Sequence, residues 1–397
     1  MNIGLIKEGK NPPDKRVPFS PDQCAHIMQL YPSISLYVQP SENRCFSDSE
    51  YEKHGVILTN DLSICDIIMG VKEVPVNMLV DNKIFFFFSH TIKKQPYNKL
   101  LLQAILEKKI QLVDYETLVG KDKKRIIGFG RYAGIVGCYN AFLAYAQKTK
   151  TYSLLPPQLV EDRKELYREL KNTILPREFK IILTGTGRVS NGAIEVLEEL
   201  GIKKVNKLDF LEQVFNEPVY VQLDCLDYHK RIDNLNGSKN HFYNYPNKYT
   251  SILSEYTKSA NMLITGHYYA EGSPIILSKS DISHNSFHLE VIADISCDID
   301  GPIGATIRPS TIDEPIYGYD PKKAIEDDYN KDGVIAVMAV DNLPCALPID
   351  ASIHFGEVFI EKVLPDLIQM GSVVSKGSIT LNGKLTDRFN YLSDYVS

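Results

Sequence analysis

One segment, residues 178–209, limits the fold of this chain more than any other. A short apolar run at residues 181–183 ends in a turn that contains Gly185 and Gly187. A helical pattern follows, with apolar side chains on one face and Gly201 at its end. Strand, glycine turn and helix in this order are typical of a nucleotide-binding unit, because the turn lets backbone approach a pyrophosphate and the helix start presents N–H groups to it. The segment therefore predicts a nucleotide cofactor.

The predicted cofactor contacts in this segment come from the turn and from the start of the helix. They are Gly185, Gly187, Arg188, Val189 and Ser190. Ser190 stands where a third glycine is usual, so the helix start is less open than in the full fingerprint. An ordinary strand-to-helix turn without a ligand is the alternative interpretation.

Length and composition predict a globular protein of two domains. A chain of 397 residues exceeds one ordinary domain, and 44% hydrophobic with 24% charged residues is a typical globular balance. The net charge of −6 gives no electrostatic reason to expect nucleic acid or an anionic membrane as a partner. No apolar run reaches the ~20 residues of a membrane span, and the N-terminus lacks a signal-peptide pattern.

The seven cysteines are scattered along the chain. Their spacing matches neither a disulfide framework nor a zinc site, so we expect no metal. Scattered thiols fit a reducing compartment, and we therefore expect a cytoplasmic protein.

Strand patterns alternate with helical patterns along the chain, which predicts parallel sheets covered by helices. Strands are predicted at residues 3–6, 36–38, 67–71, 84–88, 111–113, 181–183, 204–208, 220–223, 262–265, 291–295 and 334–339. Helices are predicted at residues 21–30, 95–108, 134–149 and 349–370. The fold class is therefore α/β, with two doubly wound Rossmann-like domains and an inter-domain cleft.

The domain boundaries follow from this pattern. A substrate or catalytic domain is predicted at residues 1–140 and is completed by residues 350–397. A dinucleotide-binding Rossmann domain is predicted at residues 141–349. Within it, the polar segment 227–250 is expected to be a surface insertion.

Polar side chains stand just after several predicted strands, where ligands of α/β sheets bind. They are Arg16, Lys72, Glu73, His90, Glu116, Asp294, Asp298 and Asn342. Each has a structural alternative, since exposed lysines are common, a glutamate can cap a helix and a single histidine can be structural. Four such clusters follow strands of one predicted sheet, however, and this coincidence favours a shared crevice.

At this point several segments together resemble a known family. They are residues 16–21, 70–73, 87–95, 114–116, 129–134, 184–193, 293–298 and 341–348. In this order they are similar to the lysine-forming saccharopine dehydrogenases, and most similar to the lysine–2-oxoglutarate reductase half of the bifunctional α-aminoadipic semialdehyde synthase. The wider superfamily includes alanine dehydrogenase and transhydrogenase. The most specific segments are Ser-His-Thr-Ile-Lys at 89–93 and Asp-Asn-Leu-Pro at 341–344.

The resemblance implies a reaction and its substrates. The family joins the ε-amine of lysine to the ketone of 2-oxoglutarate, and a nicotinamide hydride reduces the imine to saccharopine in a reversible step. The enzyme would be an NAD(P)-dependent oxidoreductase acting on CH–NH bonds in lysine metabolism. We expect lysine, 2-oxoglutarate and saccharopine as partners, and a monomer or a homodimer.

The resemblance also implies roles for individual residues. Lys72 and His90 fall on the acid/base pair, and such a pair is required because imine formation moves protons. Four residues would face the substrate: Arg16 and Arg125 as carboxylate binders, with Glu73 and Glu116 as balancing carboxylates. Four more would lie by the nicotinamide: Asp294, Ile295, Asp298 and Asn342.

The preferred dinucleotide is predicted from the strand after the glycine turn. A carboxylate about 20 residues after the turn normally binds the ribose of NAD. Asn206 stands at that distance, with Lys203, Lys204 and Lys207 around it, which favours NADP(H). If the strand is longer, Asp209 takes that place and NAD is preferred.

Two other functions remain open at this stage. An alanine-type amino-acid dehydrogenase would have similar sheets and a similar turn. A non-catalytic nucleotide-binding homologue would keep the fold without turnover, although the joint presence of Lys72, His90, Arg16 and Glu73 argues against it.

Overall fold

The structure is a computed structural model that describes residues 1–9, 14–270, 272–369 and 371–397. It divides into two compact units. Unit 1 comprises Met1–Phe129 and Pro348–Ser397, and unit 2 comprises Gly130–Leu347. The first division falls before a long helix that starts at Gly130, whereas the predicted boundary at residue 140 would have cut that helix.

Residues 1–129 contain the strands and helices of the first sheet. In chain order they are β1 (Asn2–Leu5), α1 (Pro21–Leu30), β2 (Ser35–Val38), α2 (Asp48–Lys53), β3 (Ile57–Leu58), β4 (Ile67–Met69), β5 (Ile84–Phe87), α3 (Lys99–Glu107) and β6 (Gln111–Asp114).

Residues 130–347 form a second sheet with its helices. The first elements are α4 (Gly130–Thr149), α5 (Arg163–Leu170), β7 (Lys180–Thr184), α6 (Arg188–Glu199), β8 (Lys203–Val205), α7 (Lys207–Glu212), β9 (Val219–Leu223), β10 (His229–Arg231), α8 (Lys239–Asn244) and β11 (Tyr249–Ser251). The remaining elements are α9 (Ser254–Thr257), β12 (Met262–Thr265), α10 (Lys279–Ile282), β13 (Val291–Asp294), β14 (Ile316–Asp320), β15 (Ile325–Asp327) and β16 (Ile335–Met338).

The C-terminal segment returns to unit 1. Its elements are α11 (Pro348–Lys362), α12 (Leu364–Ile368), α13 (Ser372–Gly377), β17 (Thr380–Leu381), β18 (Lys384–Leu385) and α14 (Ser393–Val396). One helix was predicted over residues 349–370, but two form. Pro365 has no N–H to donate, so it stands in the first turn of α12 rather than inside one long helix.

The sheet of unit 1 is parallel and has the order β3-β2-β1-β4-β5-β6. The phenylalanine strand explains why both faces are covered. Phe86 and Phe88 pack into one hydrophobic cluster, whereas Phe85 and Phe87 pack into the other. Successive side chains of a strand point to opposite faces, so a run of four phenylalanines requires apolar layers on both sides.

The sheet of unit 2 has the order β15-β14-β16-β13-β12-β7-β9-β8. Its strands from β8 to β16 along this order are parallel, as predicted, but β14 pairs antiparallel with both β16 and β15. The α/β class with two doubly wound sheets is therefore confirmed. The antiparallel edge strands β14 and β15 were not predicted. No helix separates them in the chain, so they lack the alternation of strand and helix from which the sheets were predicted.

Helices α4 and α6 pack closely through two glycines. A Cβ atom on Gly134 would lie 1.8 Å from the carbonyl oxygen of Val189, and one on Gly192 would lie 1.9 Å from that of Arg131. Arg131 also donates two hydrogen bonds to Glu195 of α6, at 2.6 and 2.8 Å. The glycines allow the approach and the ion pair joins the two helices at the same crossing.

The polar segment predicted as an insertion contains a small hairpin. Strands β10 and β11 pair antiparallel, and helix α8 lies between them in the chain. Among the helices in the described ranges, none is long and apolar enough to cross a membrane.

Candidate functional site

The predicted acid/base residues follow neighbouring strands of unit 1. Lys72 and Glu73 come after β4, and His90 comes after β5, which pairs with β4. The Nδ1 atom of His90 lies 2.7 Å from Oε1 of Glu73, and the two side chains are 21% and 14% exposed. His90 and Glu73 therefore form a hydrogen-bonded pair, and their partial exposure leaves the pair accessible to a ligand.

A buried carboxylate holds the turn that carries His90. Ser89 donates to Asp114 from its backbone N–H at 2.9 Å and from its hydroxyl at 2.5 Å. Burial raises the pKa of Asp114. His90 itself has a left-handed backbone with φ of 52°, and its ring is stacked near Phe88. A non-glycine residue in this conformation is kept there by its surroundings, as is common at functional sites.

Glu8 is an acidic residue near Lys72 that was not singled out from the sequence. Its carboxyl oxygens accept hydrogen bonds from the backbone N–H groups of Val71 at 2.6 Å and Lys72 at 2.9 Å. Burial raises the pKa of Glu8 to about 8, although both N–H donors favour the ionised form. Glu8 follows β1 as Lys72 follows β4, so position after a strand was the available signal.

Arg16 is fully buried and already paired. Its Nε and Nη2 atoms donate to the two carboxyl oxygens of Asp14, at 2.9 and 2.5 Å. Its guanidinium lies 4.1 Å from the ring centroid of Phe129. The predicted carboxylate binder thus already binds a carboxylate of its own loop, and Asp14 is a second residue that the sequence analysis missed.

A pocket lies beyond the carboxyl ends of β1 and β2. Its polar lining consists of Lys7, Glu8, Asp14, Arg16, Ser41, Asn43 and Arg44. Arg44 donates to the carbonyl groups of Phe46 at 2.9 Å and Gln39 at 2.8 Å and also pairs with Asp48. Glu8 and the Arg16–Asp14 pair therefore border a small recess, with room for about one water molecule, at the sheet edge where ligands bind in this class of fold.

Glu116 and Arg125 form another ion pair of unit 1. Nη2 of Arg125 donates to Oε1 of Glu116 at 2.9 Å. Glu116 is 7% exposed and Arg125 is 41% exposed. The other oxygen of Glu116 is buried and has no hydrogen-bond partner within the part of the chain that the structure describes. The structure thus brings these two predicted residues together and leaves Oε2 of Glu116 available as a hydrogen-bond acceptor.

The glycine turn of unit 2 has the geometry that a pyrophosphate needs. Gly185 has φ of 87°, and a Cβ atom there would lie 2.5 Å from the carbonyl oxygen of Gly266. A Cβ atom on Gly187, in contrast, would meet nothing within 4 Å. Protein packing explains Gly185 but not Gly187, whose missing side chain leaves open space at the start of α6.

The start of α6 presents N–H groups without a capping side chain. Gly187 is the N-cap residue, and the first turn contains no acidic residue. The first N–H groups of a helix have no partner within it, and the helix dipole favours an anion there. Arg188 at the first position is exposed. These residues fit a dinucleotide phosphate.

Ser190 serves packing with its side chain. It is fully buried, and its hydroxyl donates to the carbonyl oxygens of Thr184 and Gly266, both at 3.1 Å. A serine at the third glycine position thus ties α6 to the ends of β7 and β12. The hydroxyl is therefore used for packing. As one of the first N–H groups of α6, the backbone N–H of Ser190 can still contact a phosphate.

The predicted nicotinamide residues differ in exposure. Asp294 is fully buried, and it accepts from the hydroxyls of Thr265 at 2.7 Å, Ser296 at 2.7 Å and Thr306 at 2.6 Å. Its carboxylate therefore holds the loop after β13. The other three are more accessible: Ile295 and Asn342 are half-buried and Asp298 is exposed.

Asn206 was predicted from its distance to the glycine turn, but the strand that it follows, β8, does not lie beside β7. β9 pairs with β7, and β8 pairs with the far side of β9. Asn206 ends the outer strand and caps α7, since its side-chain oxygen accepts from the N–H of Asp209 at 2.9 Å. The residue that ends the inner strand is Asp224, which the sequence analysis did not consider.

Two buried histidines near the glycine turn were also missed. Nδ1 of His267 lies 2.7 Å from the hydroxyl of Thr184. Burial lowers the pKa of His267 and of His229 to about 4. Their Nε2 atoms have no hydrogen-bond partner in the described ranges. Both rings are therefore neutral near pH 7.

The chain is similar in sequence to several known enzymes. Residues 4–136 match the family model described as alanine dehydrogenase/PNT, N-terminal domain. The mitochondrial alpha-aminoadipic semialdehyde synthase of Mus musculus is 29% identical over 98% of this chain and 47% of its own length. The saccharopine dehydrogenase [NAD(+), L-lysine-forming] of Neurospora crassa is 24% identical over 90% of this chain and 88% of its own. The chain is a homologue of the lysine-forming saccharopine dehydrogenases.

The resemblance drawn from the sequence motifs is thereby confirmed. This homologue spans about half the length of the semialdehyde synthases that it matches. An L-alanine dehydrogenase structure has a TM-score of 0.65 at 14% identity, with 100% of both chains covered. A transhydrogenase from Sinorhizobium meliloti has a TM-score of 0.62 at 13% identity, over 97% of this chain and 99% of that one. These two structures confirm the fold.

Proposed function

We propose that this protein is an NAD(P)-dependent oxidoreductase that forms or cleaves saccharopine from lysine and 2-oxoglutarate. The observation that carries the proposal is the His90–Glu73 pair beside Lys72 at the carboxyl ends of adjacent strands. Homology to saccharopine dehydrogenases over nearly the whole chain supports it. An alanine-type activity has in its favour the family model that residues 4–136 match and a likeness of fold at 14% identity.

The proton-transfer roles follow from the hydrogen bonds. Because Nδ1 of His90 contacts the Glu73 carboxylate, Nε2 is the ring atom that can exchange a proton with the substrate. Addition of the lysine amine to the ketone and loss of water from the carbinolamine each require a proton transfer, which Lys72 and His90 would perform. A bound nicotinamide dinucleotide supplies the hydride that reduces the imine.

Two carboxyl groups, those of Glu8 and Asp114, would position Lys72 and His90. Glu8 holds the backbone at Lys72, and Asp114 holds the turn before His90. We further propose that Arg125 and the Arg16–Asp14 pair face the substrate carboxylates, with Glu116 balancing their charge. The glycine turn and the start of α6 would bind the pyrophosphate, with Asp298, Ile295 and Asn342 near the nicotinamide.

A substrate screen with the purified chain tests this function. Oxidation of NADH and NADPH is followed with lysine plus 2-oxoglutarate, and separately with pyruvate plus ammonium. We expect turnover with the first pair, formation of saccharopine by mass, and the reverse reaction with saccharopine and oxidised cofactor. Turnover with pyruvate and ammonium alone would instead assign an alanine-type dehydrogenase. Dinucleotide binding without turnover of either pair would indicate a non-catalytic homologue.

A further inference from the structure

The strand order of unit 2 changes which residue lies beside the glycine turn. Five residue pairs join β7 to β9, from Lys180 with Val219 to Thr184 with Leu223. The adenosine ribose of a dinucleotide binds beyond the strand that neighbours the glycine-turn strand, where an acidic residue accepts its hydroxyls. In this chain that strand is β9, and Asp224 is the residue that follows it.

Three contacts tie the end of β9 to the turn. The N–H of Gly185 donates to the carbonyl oxygen of Leu223 at 2.7 Å. The side-chain amide of Gln222 donates to the carbonyl oxygen of Gly185 at 3.1 Å. The hydroxyl of Thr186, between the two glycines, donates to Oδ2 of Asp224 at 3.4 Å. The Asp224 carboxylate therefore lies directly against the turn that fits the pyrophosphate.

The carboxylate is ionised and partly accessible. The Asp224 side chain is 24% exposed, and its ion pair with Lys239 measures 2.5 Å. Burial opposes the charge, but hydrogen bonds from Lys239 and Cys225 hold the pKa of Asp224 below its usual value. Lys239 is 54% exposed, and such an ion pair at the surface contributes little free energy. A ribose hydroxyl can thus reach the carboxylate at small cost.

The residues around Asn206 do not form a phosphate site. Each lysine near it already has an acceptor: Lys203 has Glu217 at 2.6 Å, Lys204 has Gln222 at 2.7 Å, and Lys207 has Asp227 at 2.5 Å. The Asn206 amide donates to the carboxylate of Asp209 at 2.5 Å. A phosphate dianion there would be repelled by Asp209. To bind it, the three lysines would have to leave the acceptors to which they now donate.

We propose that Asp224 accepts the adenosine ribose hydroxyls and makes the protein prefer NAD(H) to NADP(H). A carboxylate accepts hydrogen bonds from two hydroxyls but repels a 2′-phosphate. This inference rests on the proposed dehydrogenase function, and it replaces the NADP(H) preference predicted from Asn206.

Dinucleotide binding without substrate tests the inference apart from catalysis. NADH and NADPH are titrated into the full chain by calorimetry, and NADH is expected to bind at least about tenfold more tightly. Asp224→Asn should weaken NADH binding about tenfold and bring the two affinities close together. Asn206→Ser keeps the α7 cap and should leave the ratio unchanged.

Lys239→Met separates the two possible roles of the cation. We expect it to leave NADH binding intact or tighter, since it frees the carboxylate for the ribose. A loss of NADPH binding larger than the change for NADH would instead identify Lys239 as a 2′-phosphate ligand and overturn the inference.

Two further outcomes would overturn it. One is tighter binding of NADPH than of NADH by the unsubstituted chain. The other is a changed ratio in Asn206→Ser together with an unchanged ratio in Asp224→Asn. NADH-selective binding without saccharopine turnover would support the inference and defeat the proposed function. Saccharopine turnover with NADPH preferred would do the reverse.

Discussion

Burial changes what the charged residues of unit 1 can do. Arg16 is 1% exposed and Asp14 is 3% exposed, so this pair is part of the core as much as of a binding surface. Glu8 has a raised pKa and contacts the backbone of Lys72. The His90–Glu73 pair, in contrast, keeps partial exposure. At this scale the accessible pair is suited to proton transfer, and the buried groups are suited to hold it in place.

The acid/base pair provides the first prediction. Lys72→Met and His90→Gln should each lower turnover by roughly 10²-fold or more, because each removes a group that transfers protons. Binding of the dinucleotide should change little, since both residues belong to unit 1 and the glycine turn belongs to unit 2. Steady-state turnover and calorimetric binding give the two measurements.

Lys93→Met is the matched control for this pair. Lys93 is exposed and ends the short 3-10 helix, Thr91–Lys93, that follows His90. Its substitution should leave turnover nearly unchanged. Near-normal turnover in both Lys72→Met and His90→Gln would assign those residues a structural role.

The buried pair provides the second prediction. Arg16→Ala should lower the free energy of unfolding by about 3–5 kcal/mol, because it removes the guanidinium that is paired with the buried Asp14 carboxylate. Urea unfolding followed by circular dichroism measures this loss. The exposed pair of Arg308 with Glu326 has the same two-point geometry, at 2.6 and 2.7 Å, and is 41% and 47% exposed.

Arg308→Ala should therefore cost no more than about 1 kcal/mol. Equal losses in Arg16→Ala and Arg308→Ala would show that burial does not strengthen the first pair. The Michaelis constant for 2-oxoglutarate should rise in Arg16→Ala alone if Arg16 also faces a substrate carboxylate.

At the scale of secondary-structure elements, the glycines of α4, of α6 and of the turn before α6 are required for different reasons. Gly134 and Gly192 allow two helices to touch, whereas the space beside Gly187 is open. Arg131, in the first turn of α4, pairs with Glu195 on the facing helix. Hydrogen bonding to Glu195 also raises the pKa of Arg131 further above its usual range.

This difference predicts that a glycine-to-alanine substitution lowers stability at Gly192 but lowers dinucleotide binding at Gly187. Gly192→Ala should lose about 3 kcal/mol of unfolding free energy or more, because its Cβ would overlap the carbonyl of Arg131 and separate the helices. Gly187→Ala should change stability by less than about 0.5 kcal/mol. It should nevertheless weaken dinucleotide binding about tenfold, because the methyl group stands where the pyrophosphate approaches. Thermal unfolding and calorimetric titration distinguish the two, and a stable Gly192→Ala chain would contradict the helix-contact argument.

At the scale of the whole molecule, two buried histidines make folding sensitive to acid. His229 and His267 have folded pKa values of about 4, while an unfolded histidine has a pKa near 6.5. Between these values the unfolded chain binds more protons than the folded chain, so stability falls as the pH drops from about 6.5 to about 4. The loss is on the order of 3 kcal/mol for each histidine.

His229→Gln should reduce this loss. Urea midpoints at pH 7, 5.5 and 4.5 for the variant and the unsubstituted chain measure the difference in slope. His288→Gln, at an exposed position, is the control. An identical pH dependence in His229→Gln and the unsubstituted chain would contradict the assignment.

The sequence determined the local parts of this protein. The helix at Pro21–Leu30 was predicted with both ends, and in the structure Ser20 and Gln23 form a capping box at its start. The glycine turn was predicted because Gly185 and Gly187 lie between a strand pattern and a helix pattern. Lys72, Glu73 and His90 were found by position after strands, and parallel pairing brings such positions to one edge.

The tertiary structure alone decided which distant residues meet. Local periodicity predicts a strand but not its neighbour, so the position of β9 between β7 and β8, and with it the position of Asp224 beside the glycine turn, could not be predicted from the sequence. The hydrogen bonds between the Lys72 backbone and Glu8 and between His90 and Glu73 depend on burial and side-chain direction. These are properties of packing between segments, which is why sequence patterns located the candidate site but only the fold assigned partners to its charges.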